Sequence, residues 1–340
     1  MILGNGKNIS CAEKPYIIAE LNSSHRGKLN IAKDMVIAAK ECGCDAVKFQ
    51  SWSAESLYCR DYYDNDTMSE KIFKRFSLSE ESLLEMARFC KQIGIDFSST
   101  PYSEKEVDFL VKECNVPFVK IASMDINNIP FLQYIGKQSI PTIISTGMAT
   151  MDEIEKGIAT LENAGASNIC ILHCVSLYPA REDEISLNNM VTLKNKFPKY
   201  EVGYSDHTLG SEAACVAVAL GASIIEKHFT LDNKTVGFDN RMATDPDSMK
   251  LLVSKCHLTH DILGRHERIV SQSEIEQSKK MRRSIVANKY LPKGHILTME
   301  DITAKRPGTG ISIADFEKVI GRKLKVDVNS DYMITWDMLS

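Results

Sequence analysis

Residues 80–101 read EESLLEMARFCKQIGIDFSSTP, an amphipathic segment of helical periodicity from Glu80 to Ile93 that runs into a short β-rich stretch, Asp96 to Pro101. The same rhythm extends in both directions. Upstream, the β-rich runs Tyr16 to Leu21 and Ala46 to Ser51 bracket the amphipathic stretch Ile31 to Cys42. Downstream lie Phe118 to Ser123, Pro141 to Gly147, Ile169 to Cys174, Glu201 to His207 and Ser223 to Phe229, with Met151 to Ala164 and Gly210 to Gly221 as helical stretches between them. Short strands alternating with longer helices are the signature of βα units around a parallel sheet. Eight units over about 260 residues match a (β/α)8 barrel, whereas an open doubly wound sheet usually closes with fewer. The α/β reading is therefore a TIM barrel over residues 1–270.

Beyond the barrel the rhythm stops. A polar connecting stretch, 271–283, leads into a segment, 284–340, with short β-like pieces at Ser284 to Ala287, Lys323 to Val328 and Tyr332 to Thr335. Turn signals at Pro292-Lys293-Gly294 and Pro307-Gly308-Thr309-Gly310 separate them. So small a segment makes a marginal core by itself, which favours docking on a barrel, its own or a partner's.

With 340 residues, 44% hydrophobic and 25% charged, the chain can bury a sizeable core. A net charge of -4 with dispersed lysines and arginines argues against a nucleic-acid partner. The N-terminus has no signal-peptide pattern, and no apolar run approaches the roughly 18 residues that span a bilayer, so a cytoplasmic protein without a membrane partner is expected. The 10 cysteines are scattered through apolar segments without a Cys-x-x-Cys pair and read as reduced, mostly buried thiols.

Polar and ionisable residues collect where the strands end, on the C-terminal rim that carries the chemistry of barrel enzymes. They are Glu20 on the first strand, Lys48 and Gln50 on the second, Ser99 and Thr100 on the third, and Lys120, Ser123 and Asp125 around the fourth. Ser145 and Thr146, then His173, Ser176 and Tyr178, then Ser205, Asp206 and His207, and finally Glu226 and His228 complete the rim. Alternation along a strand puts Lys48 with Gln50, and Glu226 with His228, on one face. A lysine inside a β-run must find an anion to offset several kcal/mol of desolvation. Two of them beside Ser and Thr donors suggest a phosphate or carboxylate ligand; the alternative is that each pairs with a glutamate across the barrel. His207 and His228, ending neighbouring strands, suit a divalent metal. His25 and His173, taken singly, read as hydrogen-bonded core groups. No His-Glu-x-x-His, Gly-x-Ser-x-Gly, Walker loop or Gly-x-Gly-x-x-Gly after a strand is present, which removes support for the corresponding hydrolases and nucleotide enzymes.

Specific motifs occur in order: Ile-Ile-Ala-Glu at 17–20, Val-Lys-Phe-Gln at 47–50, Ser-Thr-Pro at 99–101, Lys-Ile-Ala-Ser at 120–123 and Ser-Thr-Gly-Met at 145–148. His-Cys-Val-Ser-Leu-Tyr-Pro at 173–179, Gly-Tyr-Ser-Asp-His-Thr at 203–208 and Glu-Lys-His-Phe-Thr-Leu-Asp at 226–232 follow. With these motifs the whole chain resembles the sialic acid synthases, which include N-acetylneuraminate, legionaminate and pseudaminate synthases and a spore-coat relative. The tail, with Arg-Arg-Ser at 282–284 and Lys-Arg-Pro-Gly-Thr-Gly-Ile at 305–311, resembles the β-rich antifreeze-like (SAF, β-clip) domain that ends those enzymes.

The resemblance implies condensation of phosphoenolpyruvate with N-acetylmannosamine or a related acetamido-hexose to give a nonulosonate and phosphate, in a domain-swapped homodimer. It implies Mn2+ or Mg2+ on His207 and His228. Lys48, Lys120, Ser123, Ser145 and Ser205 would bind the phosphate and carboxylate, with Gln50, Thr100, Ser176 and Tyr178 lining the same cavity. Glu20, Asp125 and Asp239 would meet the sugar, Glu20 or Asp125 handling protons, and Arg306 from a partner's tail would contact the N-acetyl group. Two segments depart from the family pattern: Ser23-Ser24-His25-Arg26-Gly27 where Ile-Asn-His-Asn-Gly is common, and Gly237-Phe238-Asp239-Asn240 where Gly-Pro-Asp is common. Asp125 stands where many relatives carry Glu. Competing readings are a 2,4-diacetamido-6-deoxyhexose substrate, as in legionaminate or pseudaminate synthases, a deoxy-sugar acid synthase using a non-acetylated aldose, and a non-catalytic carbohydrate- or ice-binding module.

Overall fold

Strands β1 (Tyr16–Glu20), β2 (Ala46–Gln50), β3 (Asp96–Thr100) and β4 (Val119–Ile121) are followed by β5 (Thr142–Ser145), β6 (Ile169–Cys174), β7 (Glu201–Asp206) and β8 (Ile224–His228). They form one 8-stranded parallel sheet in the order β3-β2-β1-β8-β7-β6-β5-β4. Pairing of β1 with both β2 and β8 brings the first and last units together. The remaining seam, between β3 and the short β4, is bridged by Ser98 Oγ, which donates to the Phe118 carbonyl at 2.8 Å. A nearly closed TIM-like barrel results. The computed structural model of the chain describes residues 1–340 other than Val236, Phe238, Arg265 and His266, so the sequence departure at Phe238 lies outside the described residues.

Strand alternation sorts the side chains into two cores. One face of each strand packs outward on the helices, as with Ile17, Val47, Val119, Ile171, Val202 and Ile225. The other face fills the barrel: Tyr16, Ile18, Ala46, Phe118, Leu172 and Ile224 form an apolar plug. Each fully buried aliphatic side chain contributes about 1.5–3 kcal/mol, which makes the plug a rigid floor. Two positions further along the same faces the residues become Glu20, Lys48, Lys120 and Glu226, so the floor gives way to charge at the C-terminal rim.

The helices have local reasons to start and stop where they do. In Glu80–Ile93, Ser79 accepts from the Ser82 backbone N, and the helix ends at Gly94 with φ 75. Leu83, Met86, Ala87 and Cys90 supply its buried stripe. Met151–Ala164 opens with a capping box between Thr150 and Glu153, a device contributing about 1 kcal/mol. A Cβ at Gly157 in this helix would stand 2.8 Å from the Ile126 carbonyl, so only glycine permits the packing.

The chain divides into Met1–Gly264 and Arg265–Ser340. Within the second unit, the stretch read as a connection contains the helix Gln272–Met281. Strands β9 (Ser284–Ala287) and β10 (Ile302–Lys305) pair antiparallel. The sequence pattern locates β9 but not β10, and it predicts β pieces at Lys323 to Val328 and Tyr332 to Thr335. Those stretches make only isolated bridges, such as Leu291 with Val328 and Val286 with Met333, because their partners cross them at single residues. Ile285, Leu291, Ile302, Leu324 and Ile334 are among the side chains forming the unit's own core. Buried Asp301 accepts from His295 Nε2, Thr298 N and Thr298 Oγ1, each at 2.8 Å, and pairs with Lys289 at 2.9 Å. Among the described residues the cysteines are free, and no helix is long and apolar enough to cross a membrane.

Candidate active site

A cavity of about 360 Å³ opens at the C-terminal ends of the barrel strands. β1 contributes Glu20, β2 Lys48 and Gln50, β3 Thr100, and β4 Lys120 with Ser123 on the turn that follows. β5 supplies Ser145, and the segment after β6 supplies Ser176 and Tyr178. β7 presents Ser205, with His207 next in the chain; β8 presents Glu226 and His228, and the loop beyond brings Asp239. The predicted phosphate, metal and sugar residues of the barrel therefore meet in one place, with one exception. Asp125 sits half-buried on the turn Ser123–Asp125 and is not among the lining residues; its Oδ1 accepts from Asn128 Nδ2 at 3.0 Å. The turn brings Ser123 into the lining, while Asp125 Oδ2 is buried with no hydrogen-bond partner among the described residues. Arg306 is an exposed residue of the second unit.

The charged floor is a four-membered set. The Lys48 ammonium contacts Glu20 Oε2, donates to Thr100 Oγ1 at 3.0 Å and lies 3.8 Å from Glu226 Oε2. Lys120 donates to Ser145 Oγ at 2.6 Å and to the Ile121 carbonyl at 3.1 Å, and lies 3.9 Å from Glu226 Oε1. Ser205 Oγ donates to Glu226 Oε1 at 2.9 Å. Cross-barrel pairing of lysine with glutamate is therefore real, but Glu226 Oε2 makes no hydrogen bond within the described residues, and one carboxylate faces two ammonium groups. Burial pushes the Glu20 carboxyl up to about 7, against the pull of Lys48. Burial also lowers Lys120. Glu226 resists its burial and stays low because Lys120 and Lys48 flank it. A floor in which Glu20 carries a proton near neutral pH has spare positive charge for an anion.

On the facing wall the His207 and His228 rings stand 5.3 Å apart between centroids, and the Tyr178 ring lies 4.2 Å from that of His207. His207 Nδ1 lies 2.7 Å from the Val175 carbonyl, a bond that assigns its proton to Nδ1 and leaves Nε2 as a lone-pair donor. Burial drives His228 well below the usual imidazole range and keeps it neutral. Asp239, raised by burial, lies 3.7 Å from His228 Nδ1 and is tied down by Asn22 Nδ2. Beside it Ser24 Oγ donates to Asn240 Oδ1 at 2.6 Å, so the departing segments after β1 and β8 interlock.

A Cβ at Gly147 would fall 2.2 Å from Ser176 Oγ and 2.9 Å from Ser123 Oγ. Glycine there lets the loop after β5 close on both hydroxyls, with Gly147 N donating to Ser123 Oγ at 3.0 Å. His173 and His25 are core groups, as their sequence positions suggest: His173 Nε2 lies 2.6 Å from the Ile185 carbonyl, and His25 accepts from Gly27 N at 3.1 Å, with burial lowering it to about 4. Sequence reasoning does not assign Asn22, Tyr102, Cys174, Met124 or Met148 to the cavity they line. Tyr102 follows Ser99-Thr100-Pro101 directly and Asn22 follows Glu20 by two, so rim position alone was an available signal.

A profile of the NeuB family matches residues 35–268, and a SAF domain profile matches 282–340. The chain belongs to the NeuB family. It is 43% identical over 96% of its length to an uncharacterized protein of Methanocaldococcus jannaschii, covering 95% of that protein. It is 36% identical to N,N'-diacetyllegionaminic acid synthase of Legionella pneumophila, over 98% of this chain and 95% of that one. Among solved structures, N-acetylneuraminic acid (sialic acid) synthetase from Leptospira borgpetersenii, in complex with citrate, superposes with a TM-score of 0.75 at 32% identity, covering 82% of this chain and 94% of that chain. The NeuB family here is thus a family of sialic, legionaminic and pseudaminic acid synthases.

Proposed function

We propose that this NeuB-family chain condenses phosphoenolpyruvate with N-acetylmannosamine or a related acetamido-hexose, giving N-acetylneuraminate or a related nonulosonate and phosphate. The observation that carries this reading is the pair of buried ammonium groups, Lys48 and Lys120, sharing the Glu226 carboxylate on the floor of a cavity whose other wall is His207 and His228. Two point charges with Thr100, Ser145 and Ser205 around them suit a small molecule bearing both phosphate and carboxylate.

The donor set fits a divalent cation such as Mn2+ or Mg2+. His228 is held neutral by burial, and His207 keeps Nε2 available. Among the described residues no three His, Cys, Asp or Glu groups cluster at metal-holding spacing, so water and substrate oxygens would complete the coordination. A cation held there would supply Lewis-acid polarisation of the aldehyde oxygen.

The chain's own groups do the rest. Lys48 and Lys120 neutralise the anionic substrate and fix C3 of the enol against the aldehyde carbon, where the new C–C bond forms. The aldehyde oxygen takes a proton, for which Glu20, protonated up to about pH 7, is placed on the cavity floor. Water adds to C2 and returns a proton to the Glu20 carboxylate; the bond from C2 to the phosphate oxygen then breaks, the C2 hydroxyl proton leaves with the phosphate, and the ketone forms. Glu20 replaces Asp125 as the proton-handling group of choice, because it lines the cavity. By the family resemblance, the chain acts as a domain-swapped homodimer in which Arg306 of a partner copy meets the N-acetyl group.

A second reading, a 2,4-diacetamido-6-deoxyhexose substrate, is favoured by the 36% identity to the legionaminic acid synthase. Phosphate release from phosphoenolpyruvate, measured with each sugar and with product masses recorded, separates the two. Release with neither sugar defeats both.

A further inference from the structure

Asp206 and Lys227 are register partners on β7 and β8, each immediately before one of the two cavity histidines. Alternation turns them away from the cavity, and the proposed chemistry does not use them. Both are enclosed, with relative exposures of 0% and 1%. Lys227 Nζ donates to Asp206 Oδ2 at 2.7 Å and to the Thr208 carbonyl at 2.6 Å. Asp206 Oδ1 accepts from Thr208 N and Thr208 Oγ1, both at 2.8 Å. The chain on either side of His207 is thereby folded onto the end of β8.

The inner face carries a matching link, Ser205 Oγ to Glu226 Oε1 at 2.9 Å. The two strands are therefore pinned across both faces, one and two residues before the imidazoles. Stability does not account for the outer pin. Desolvating an ion pair costs about as much as its attraction returns, and a well-packed apolar pair of the same volume often does as well or better. What this directional set of bonds adds to the backbone register of β7 and β8 is a tie between the chain on either side of His207 and the residue before His228, through Asp206 Oδ2, Asp206 Oδ1 and the Thr208 carbonyl.

We propose that Asp206, Lys227 and Thr208 form a positioning clamp that sets the 5.3 Å spacing of the two imidazoles, and through it the affinity for a divalent cation. The clamp rests on the metal reading above. Groups buried behind metal ligands commonly govern affinity by about ten- to hundredfold.

The test uses the full-length chain freed of metal and titrated with Mn2+ alone, free Mn2+ being read by its electron paramagnetic resonance signal. The Asp206→Asn/Lys227→Met double variant should bind Mn2+ about ten- to hundredfold more weakly while its melting temperature holds or rises. Affinity within twofold of the parent in a cooperatively folded double variant overturns the clamp. Should that variant fail to fold, Thr208→Val removes one bond to Asp206 and should cost about threefold; unchanged affinity there is equally fatal. A parent that binds no Mn2+, or a His207→Ala/His228→Ala variant that binds as tightly as the parent, defeats the metal reading itself and the clamp with it.

Discussion

Replacing Lys120 with methionine removes one of the two floor ammonium groups while keeping the volume of the side chain. Burial already lowers the Lys120 pKa, so loss of its charge relieves a desolvation cost. Ser145 Oγ loses its 2.6 Å donor, and Glu226 loses a counter-charge at 3.9 Å but keeps Ser205 at 2.9 Å and Lys48 at 3.8 Å. The fold should therefore survive, with a melting temperature within a few degrees of the parent. Binding is another matter, because truncating one partner of a buried, hydrogen-bonded charge pair costs about 2–5 kcal/mol. For phosphoenolpyruvate that is a loss of about 30- to 4,000-fold in affinity. Calorimetric titration of phosphoenolpyruvate into the metal-loaded variant reads it directly, and phosphate release should fall in parallel. A folded Lys120→Met chain that binds phosphoenolpyruvate as the parent does would refute the assignment of the floor.

Other consequences follow from the same geometry. Burial raises Glu20 from 4.5 to about 7, so between those values the folded chain keeps a proton that the unfolded chain releases. This contribution to stability is full below about pH 4.5 and is lost as pH rises through about 7; denaturation of Glu20→Gln should show a flatter pH profile there, and an identical profile would exclude Glu20 as the source. Chelator-treated enzyme should release no phosphate until Mn2+ or Mg2+ is returned; turnover indifferent to rigorous metal removal counts against His207 and His228. If Arg306 of one copy serves the cavity of another, mixing inactive Arg306→Ala and Lys120→Met chains should restore part of the activity, and absence of complementation rejects sharing.

The barrel was legible because its strands are short, apolar on one face and regularly spaced: Ile169–Cys174, Glu80–Ile93 and Met151–Ala164 lie where periodicity put them. Chemistry at the strand ends was legible for a related reason, since a lysine such as Lys48 inside an otherwise apolar run is tolerated only where an anion meets it. What the sequence hid were relations made by barrel closure. Glu226 meets both lysines only because β8 lies beside β1 and across from β4, and Asn22 holds Asp239 across 217 residues of chain. Asp125, placed at the sugar by resemblance alone, follows β4 on the turn Ser123–Asp125, where strand alternation no longer says which way a side chain faces. In the tail, single-residue bridges carry no period-2 signal strong enough to separate β10 from the bridged stretches around it.

The central claim is that one cavity holds phosphoenolpyruvate on Lys48 and Lys120 within reach of a cation on His207 and His228. Phosphorus relaxation of bound phosphoenolpyruvate, compared with Mn2+ and with diamagnetic Mg2+, measures that proximity. Strong Mn2+-specific enhancement, abolished in His207→Ala/His228→Ala, is the result the account requires. Tight phosphoenolpyruvate binding with no enhancement would place anion and cation in different sites and contradict it.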